Sequence, residues 1–221
     1  MRIIKNNDIV ISGYANNIAY VDLGLPSNIK WAISNVGATY INEAGLFYQY
    51  GGEKGTPLNG YGSESGLKRF DISSFKFIPE TINKTEYNDG DVLSVEDDII
   101  NISYGDKWFT PTKENVAELL ENTTNEWVQS ELIENDIKIT THGRLFTSKI
   151  NGNTMYIPAG FLYVGENSCF YSWPCAGGIW TSSLLEDDKY VAYTLMYDEN
   201  FCGLTPIFRF EGINLRAVYK K

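Results

Sequence analysis

Three cysteines, Cys169, Cys175 and Cys202, are the residues of this 221-residue chain best suited to covalent or metal chemistry. A disulfide framework requires pairs of cysteines in an oxidising compartment, and an odd number in the last quarter of the chain does not indicate one. A zinc site requires closely spaced Cys and His ligands, and the single histidine, His142, is far from the cysteines in sequence. We therefore expect free or half-buried thiols, with a bridge between Cys169 and Cys175 as the alternative. We expect no metal and no cofactor.

The other candidates for catalysis lack the partners that a mechanism needs. His142 precedes Gly143 in a predicted turn, and no Ser, Cys or Asp pattern around it forms a triad. The hydroxyl run at residues 181–183 follows Trp180 on a predicted strand, where backbone hydrogen bonding explains it better than nucleophilic chemistry. No pair of Asp or Glu residues has neighbours that would separate the two pKa values, as a glycosidase requires. The sequence therefore predicts a non-enzymatic protein.

Two acidic segments have the hard oxygen ligands that calcium prefers. Glu96, Asp97 and Asp98 are consecutive, and Asp89 and Asp91 flank a predicted tight turn. Solvated carboxylates, or carboxylates that cap nearby backbone N–H groups, explain such clusters more simply. The interpretation without a bound ion is therefore favoured.

Composition and charge exclude several classes of function. Hydrophobic residues make up 43% of the chain, which permits a packed core. The chain has 18 Lys and Arg residues and 28 Asp and Glu residues, so its formal net charge is −10. Phosphate backbones and anionic bilayers repel a chain of this charge. No apolar run approaches the roughly 20 residues that cross a bilayer, and the N-terminus turns polar too early for a secretory signal. We expect a soluble protein made in the cytoplasm that binds neither nucleic acid nor membrane.

Helical signals are few. Residues 111–121 form the best candidate, because Thr112 can act as N-cap and the apolar residues that follow have helical spacing. A second, shorter helix is expected around residues 42–50, although Gly45 weakens it. The Gly- and Ser-rich residues 53–69 and the polar residues 83–98 are expected to be long loops.

Strand signals dominate the rest of the chain. Residues 145–150 and 154–157 flank Asn151-Gly152, a strong hairpin signal in which both central residues are expected to take positive φ. Further strands are predicted at residues 191–197, 207–210 and 215–219. Few helices beside antiparallel strands predict an α+β fold, in which the helices pack on one side of a twisted sheet.

Several sequence blocks occur in one order along nearly the whole chain. They are residues 20–27 (YVDLGLPS), 30–32 (KWA), 35–38 (NVGA), 43–51 (EAGLFYQYG), 104–112 (YGDKWFTPT), 156–160 (YIPAG), 178–183 (GIWTSS) and 214–218 (NLRAV). This order resembles the Fibrobacter-succinogenes-type major paralogous domain, a family abundant in Bacteroidetes and their phages. The resemblance implies a C-type-lectin-like fold over residues 20–221, with a twisted antiparallel sheet, two helices and long loops.

The first 19 residues precede the matched blocks and contain short clusters of β-prone residues. Such an N-terminal arm can cover a sheet edge or act as a docking segment that adds a strand to a neighbouring subunit. A lid over its own domain is the simpler alternative.

Two activities known in relatives of this fold are not implied here. The formylglycine-generating enzyme uses a redox-active cysteine pair near its C-terminal strand, whereas residues 209–221 of this chain contain no cysteine. Calcium-dependent sugar lectins use Glu-Pro-Asn or Gln-Pro-Asp together with Trp-Asn-Asp, and none of these strings occurs. The resemblance therefore supports the fold more than any particular ligand.

The resemblance places the ligand-facing surface on the late strands and their loops, where aromatic residues are frequent. Aromatic side chains supply a large contact area at a small cost in conformational entropy. We expect the interior to contain Trp31, Trp108, Trp127, Trp180, Leu195, Phe210, Ala217 and Val218. The predicted ligand-binding residues are Tyr171, Trp173, Asp187, Asp198, Asn200, Phe201, Phe208 and Arg209.

These features predict a non-catalytic recognition or adhesion module that binds a host-surface protein or glycan. The expected setting is the virion of a Bacteroidetes phage, as a head-fibre or tail-fibre protein in contact with other virion proteins. Virion proteins are released by lysis and need no signal peptide, and a fibre tip of this kind can be a homotrimer. The alternative is a purely structural capsid or tail decoration protein.

Overall fold

The computed structural model describes residues 1–48, 50–51, 56–57, 92–134, 137–160, 162–164, 169–171, 175–209 and 211–221. This part of the chain is rich in strands and contains two α-helices, so the fold is a sheet-rich α+β fold. The helices are α1 (Ile99–Tyr104) and α2 (Lys113–Asn122). The strands are β1 (Arg2–Ile4), β2 (Gly13–Ala15), β3 (Ile18–Val21), β4 (Lys30–Ala32), β5 (Leu46–Tyr48), β6 (Thr56–Pro57), β7 (Trp108–Phe109), β8 (Thr123–Glu134), β9 (Ile137–Ser148), β10 (Thr154–Pro158), β11 (Leu162–Val164), β12 (Cys169–Tyr171), β13 (Ala176–Leu185), β14 (Asp188–Asp198), β15 (Cys202–Phe208), β16 (Ile213–Asn214) and β17 (Val218–Tyr219).

The described strands form four sheets. Their strand orders are β1-β8-β9-β10, β11-β12, β15-β14-β13-β16-β5-β6 and β2-β3-β4-β17-β7. Neither of the two described helices is long and apolar enough to cross a membrane. The predicted long loop at residues 53–69, apart from Thr56–Pro57, and the predicted turn at residues 88–91 lie outside the described residues.

The core consists of two main clusters that meet at the six-stranded sheet. Alternate residues of a strand point to opposite faces, and β13 and β14 each contribute to both clusters. Ile179 and Leu195 join the cluster that contains Trp31, whereas Trp180 joins the cluster that contains Trp108. The expected burial of Trp31, Trp108, Trp180, Leu195, Ala217 and Val218 is confirmed, while Phe210 lies outside the described residues.

Helix α2 confirms the sequence prediction. The Thr112 side chain accepts a hydrogen bond from the Asn115 N–H, and the Asn115 side chain accepts one from the Thr112 N–H, so the two residues cap the helix reciprocally. Val116 and Leu119 are fully buried, as their helical spacing indicates.

Helix α1 gives the acidic segment at residues 96–98 a structural role. The Asp98 carboxylate accepts hydrogen bonds from the Ile100 N–H (3.0 Å) and from the Thr110 N–H (2.7 Å) and hydroxyl (2.8 Å). Asp98 is the N-cap of the helix and is almost fully buried, and this burial raises the pKa of its carboxyl. The capping interpretation of this carboxylate is therefore confirmed.

The prediction of a helix around residues 42–50 is wrong. The described part of this segment contains turns and then β5, which pairs with β16 and β6. Gly45 has a φ of +77°, and a Cβ there would lie 2.5 Å from the Val36 carbonyl oxygen. Strand pairing with residues far along the chain buries Phe47 and Tyr48, and this overrides the weak local helical signal.

The long hairpin of β8 and β9 differs from expectation at two points. His142 and Gly143 lie within β9 rather than in a turn. The connection to β10 is a turn at residues 149–153, in which Gly152 has positive φ but Asn151 does not. The Asn151 side chain instead donates to the Asp22 carbonyl (2.9 Å), so a contact with a distant loop determines the shape of this turn.

The first strand of the chain, β1, lies at the edge of the four-stranded sheet. Strand β1 pairs in parallel with β8, and the Asn6 side chain extends this pairing by exchanging two hydrogen bonds with the Ile133 backbone. Strands β2 and β3 form a hairpin across the expected boundary between residues 19 and 20. The arm and the domain therefore share a sheet.

Candidate functional site

Six of the eight predicted ligand-binding residues lie at the two ends of the ribbon formed by β14 and β15. Tyr197 pairs with Cys202 near one end, and Val191 pairs with Phe208 near the other. Six residues of extended strand separate these pairs, which corresponds to about 20 Å. Asp198, Asn200 and Phe201 lie at the first end, whereas Asp187, Phe208 and Arg209 lie at the second. The structure does not bring the two groups together.

Tyr171 and Trp173 belong to the segment that leads into β13. Tyr171 is the last residue of β12, and nothing is described of its side chain, while Trp173 lies outside the described residues. The first residue of β13, Ala176, pairs with Asp198. This segment therefore joins the six-stranded sheet at the same end as Phe201.

The connection between β14 and β15, which we name the Phe201 turn (residues 198–203), is tied by its own hydrogen bonds. The Asp198 Oδ1 atom accepts from the Asn200 N–H (2.6 Å) and from the Phe201 N–H (2.8 Å). The Asp198 N–H in turn donates to the Phe201 carbonyl (2.9 Å). Asp198 therefore stabilises the turn with its carboxylate, an Asx-type role.

A hydrogen bond from Arg144 of β9 also holds the Phe201 turn in place. Its Nη2 atom donates to the Phe201 carbonyl at 3.0 Å, and the side chain is almost fully buried. The Phe201 ring is nevertheless 47% exposed, and it lies over Gly203, where a Cβ would be 3.0 Å from the ring. Asn200 is exposed beside it. The result is an exposed ring and an exposed amide on a constrained turn.

The face of the β8–β9 hairpin that carries Arg144 adds a second aromatic group. Trp127 is the cross-strand partner of Arg144, and His142 is the next residue of β9 on the same face. The Trp127 and His142 rings are stacked, with centroids 6.3 Å apart and an interplanar angle of 11°. Both residues are half-buried, so Trp127 is less enclosed than expected. We call Arg144, Trp127, His142 and the Phe201 turn the candidate site.

Cys202 follows Phe201 but does not supply a reactive thiolate. Burial raises the pKa of its thiol to about 11, and the neighbouring Arg144 guanidinium opposes this shift only in part. Cys175 is exposed, and both Cys175 and Cys202 are free. Nothing is described of the Cys169 side chain. Covalent chemistry at Cys202 is therefore unfavourable at neutral pH.

These two thiols are expected to differ in reactivity. At pH 8, Cys202 should have about one hundredth of the thiolate of an ordinary thiol, so iodoacetamide should modify it at least 10-fold more slowly than Cys175. Peptide mapping by mass spectrometry after timed labelling resolves the cysteines separately. Equal rates in the native chain would contradict the burial of Cys202, and equal rates in urea provide the control.

The second end of the ribbon is less suited to binding. Asp187 is exposed in the β13–β14 turn, and Phe208 is 51% exposed, as expected. Arg209 is almost fully buried, and its guanidinium lies over the Tyr50 ring at 5.0 Å. Its assignment to an exposed binding surface is therefore wrong, because stacking on Tyr50 draws the side chain into the domain.

Neither metal ligation nor homology assigns a role to the candidate site. Within the described ranges, no three His, Cys, Asp or Glu side chains converge as metal ligands would. Comparison of the chain with protein-family models, with curated proteins and with solved structures finds no match.

Proposed function

We propose that the protein is a non-catalytic recognition module with a C-type-lectin-like fold that binds a host-surface glycan or protein through the Phe201 turn. The resemblance of the sequence blocks motivates the choice of fold and suggests a virion of a Bacteroidetes phage as the setting. The geometry of the candidate site motivates the choice of surface.

The observation that supports this proposal is the constraint on an exposed aromatic ring. Phe201 is 47% exposed although its carbonyl accepts hydrogen bonds from Asp198 and Arg144. An exposed ring loses hydration when a ligand covers it, and a turn that is already ordered loses little further entropy on binding. Such an arrangement is typical of a binding surface.

The chemistry of the surrounding groups also favours binding. The Asn200 side chain is exposed and offers both a donor and an acceptor. The cysteine within the turn, Cys202, is held in its protonated form at neutral pH because burial raises the pKa of its thiol. Directional amide contacts beside aromatic surface are the usual components of a ligand site.

The Phe201→Ala variant tests the proposal. Labelled wild-type chain is incubated with intact cells from a panel of gut Bacteroidetes, and the dissociation constant is measured for each strain that binds. Phe201→Ala should weaken binding by 10-fold or more, as expected for a central anchor. The matched control is Phe208→Ala, which removes an equally exposed ring at the other end of the ribbon and should change binding by less than 2-fold.

Two results would overturn the proposal. The first is equal binding by Phe201→Ala and the wild type, which would place the contact elsewhere. The second is an absence of binding to every strain together with loss of particle assembly in a phage that carries Phe201→Ala. This second result would favour a decoration protein whose contacts are with its virion neighbours.

A further inference from the structure

Arg144 and Arg216 are two of the three arginines that are buried in the described residues, and their hydrogen bonding differs. Arg216 is fully buried, and each of its three guanidinium nitrogen atoms has an acceptor: Nε donates to Asn35 Oδ1 (2.8 Å), Nη1 to the Ala32 carbonyl (2.9 Å) and Nη2 to the Tyr156 carbonyl (3.1 Å). Arg216 is therefore satisfied within the fold. Its role is structural.

Arg144 is buried to a similar degree but is not satisfied. It is 7% exposed, and its Nη2 atom donates to the Phe201 carbonyl. Its Nε atom is buried without a hydrogen-bond partner. The guanidinium also forms a hydrogen bond with the Cys202 thiol, and a thiol is only a weak acceptor.

Arg144 also lacks a counter-ion in the part of the chain that the structure describes. No Asp or Glu carboxylate there lies within ion-pair distance of its guanidinium. A buried charge without a paired partner is unfavourable by several kcal/mol and is rare outside functional sites. Donors that remain unused on a buried guanidinium indicate a ligand that supplies the acceptor oxygens.

Arg144 lies close to the edge of the core on its face of β9. Along one face of β9, burial decreases from Phe146 through Arg144 and His142 to the exposed Thr140. Arg144 therefore lies where the core meets solvent, between the Trp127–His142 stack and the Phe201 turn. The half-buried His142 ring therefore separates the guanidinium from the exposed end of this face.

We propose that Arg144 binds the carboxylate of an acidic sugar in the glycan ligand, an inference that rests on the proposed function of the Phe201 turn. A planar guanidinium binds a carboxylate through two parallel hydrogen bonds. The rings of Trp127 and Phe201 and the Asn200 amide suit the apolar faces and hydroxyl groups of the adjoining sugars.

Chemical reduction of the glycan tests the inference without altering the protein. Capsular polysaccharide is isolated from a strain that the wild-type chain binds, and half of it is treated with carbodiimide and borohydride, which converts uronic acid carboxyls to primary alcohols. Binding to native and reduced polysaccharide is measured by biolayer interferometry. Reduction should weaken binding by 10-fold or more.

Variants of Arg144 provide the second readout. Arg144→Met removes the donors at similar side-chain length and should bind native and reduced polysaccharide equally weakly, whereas Arg144→Lys should keep part of the preference. The matched control is Phe201→Ala, which should bind both forms more weakly but keep the ratio between them. Far-UV circular dichroism and the urea midpoint verify that each variant is folded.

The outcomes separate the two proposals. If the wild-type chain binds native and reduced polysaccharide equally, Arg144 has no carboxylate partner and the inference is wrong, while the proposed function stands. The inference is also wrong if reduction weakens binding but Arg144→Met keeps the full preference, or if only phosphate-containing polysaccharides are bound. If no strain is bound, both proposals fail.

Discussion

Arg216→Met is expected to lower the free energy of unfolding by about 3–5 kcal/mol, the largest effect of any substitution considered for this protein. The guanidinium joins Ala32 of β4, Asn35 and Tyr156 of β10, which are far apart in sequence. Methionine cannot donate, so three buried acceptors lose their partner, at a cost of about 1–3 kcal/mol each. Removal of the buried charge offsets part of this loss, since burial already lowers the pKa of Arg216 to about 10.

Urea unfolding of three arginine variants checks this prediction. Arg216→Lys retains a charge but offers one nitrogen in place of three, so it should fall between the wild type and Arg216→Met. The control is Arg2→Met, because Arg2 is exposed and its ion pairs with Glu126 and Asp8 are expected to contribute less than about 1 kcal/mol. The structural role of Arg216 would be refuted if Arg216→Met and Arg2→Met had the same midpoint.

Gly143→Ala is expected to lower the free energy of unfolding by about 3 kcal/mol. Gly143 lies in β9 opposite Pro158 of β10, and a Cβ there would meet the Ile157 carbonyl and lie 2.8 Å from the Pro158 Cα. These are backbone atoms of β10, which pairs with β9, so they cannot move aside without breaking the pairing. Gly143 is therefore needed because two backbones approach closely.

Gly152→Ala separates this cause from the general cost of replacing a glycine. Gly152 has a φ of +76°, but nothing lies within 4 Å of a Cβ placed there. Alanine at this position should cost only about 1 kcal/mol, from backbone strain alone. Thermal unfolding of both variants measures the difference, and a Gly152→Ala loss equal to that of Gly143→Ala would show that contact at Gly143 is not the cause.

The features that the sequence predicts well are those controlled by neighbouring residues. Helix α2 follows from a capping threonine and from apolar residues at helical spacing, all within one short segment. The burial of Trp31, Trp108 and Trp180 follows from their size and apolar character. Local signals were sufficient in these cases.

The features that the sequence does not predict depend on contacts between residues that are far apart in the chain. Strand β5 forms because β16, more than 160 residues later, pairs with it. Arg209 is buried because its guanidinium stacks on the Tyr50 ring. Arg144 belongs to the candidate site because its side chain on β9 donates a hydrogen bond to the β14–β15 turn. A single arginine on a strand carries no signal of its burial or of its unused donors. The exposure of Phe201 was predictable from a turn position, but its rigid support was not.

Backbone amide chemical shifts give the most direct test of where the ligand binds. The full ¹⁵N-labelled chain is titrated with polysaccharide fragments from a strain that it binds, and shift changes are followed residue by residue. We expect the largest changes in the Phe201 turn and at residues 142–144 of β9. Large changes at Asp187 and Phe208, with the Phe201 turn unaffected, would contradict a recognition surface at this end of the sheet.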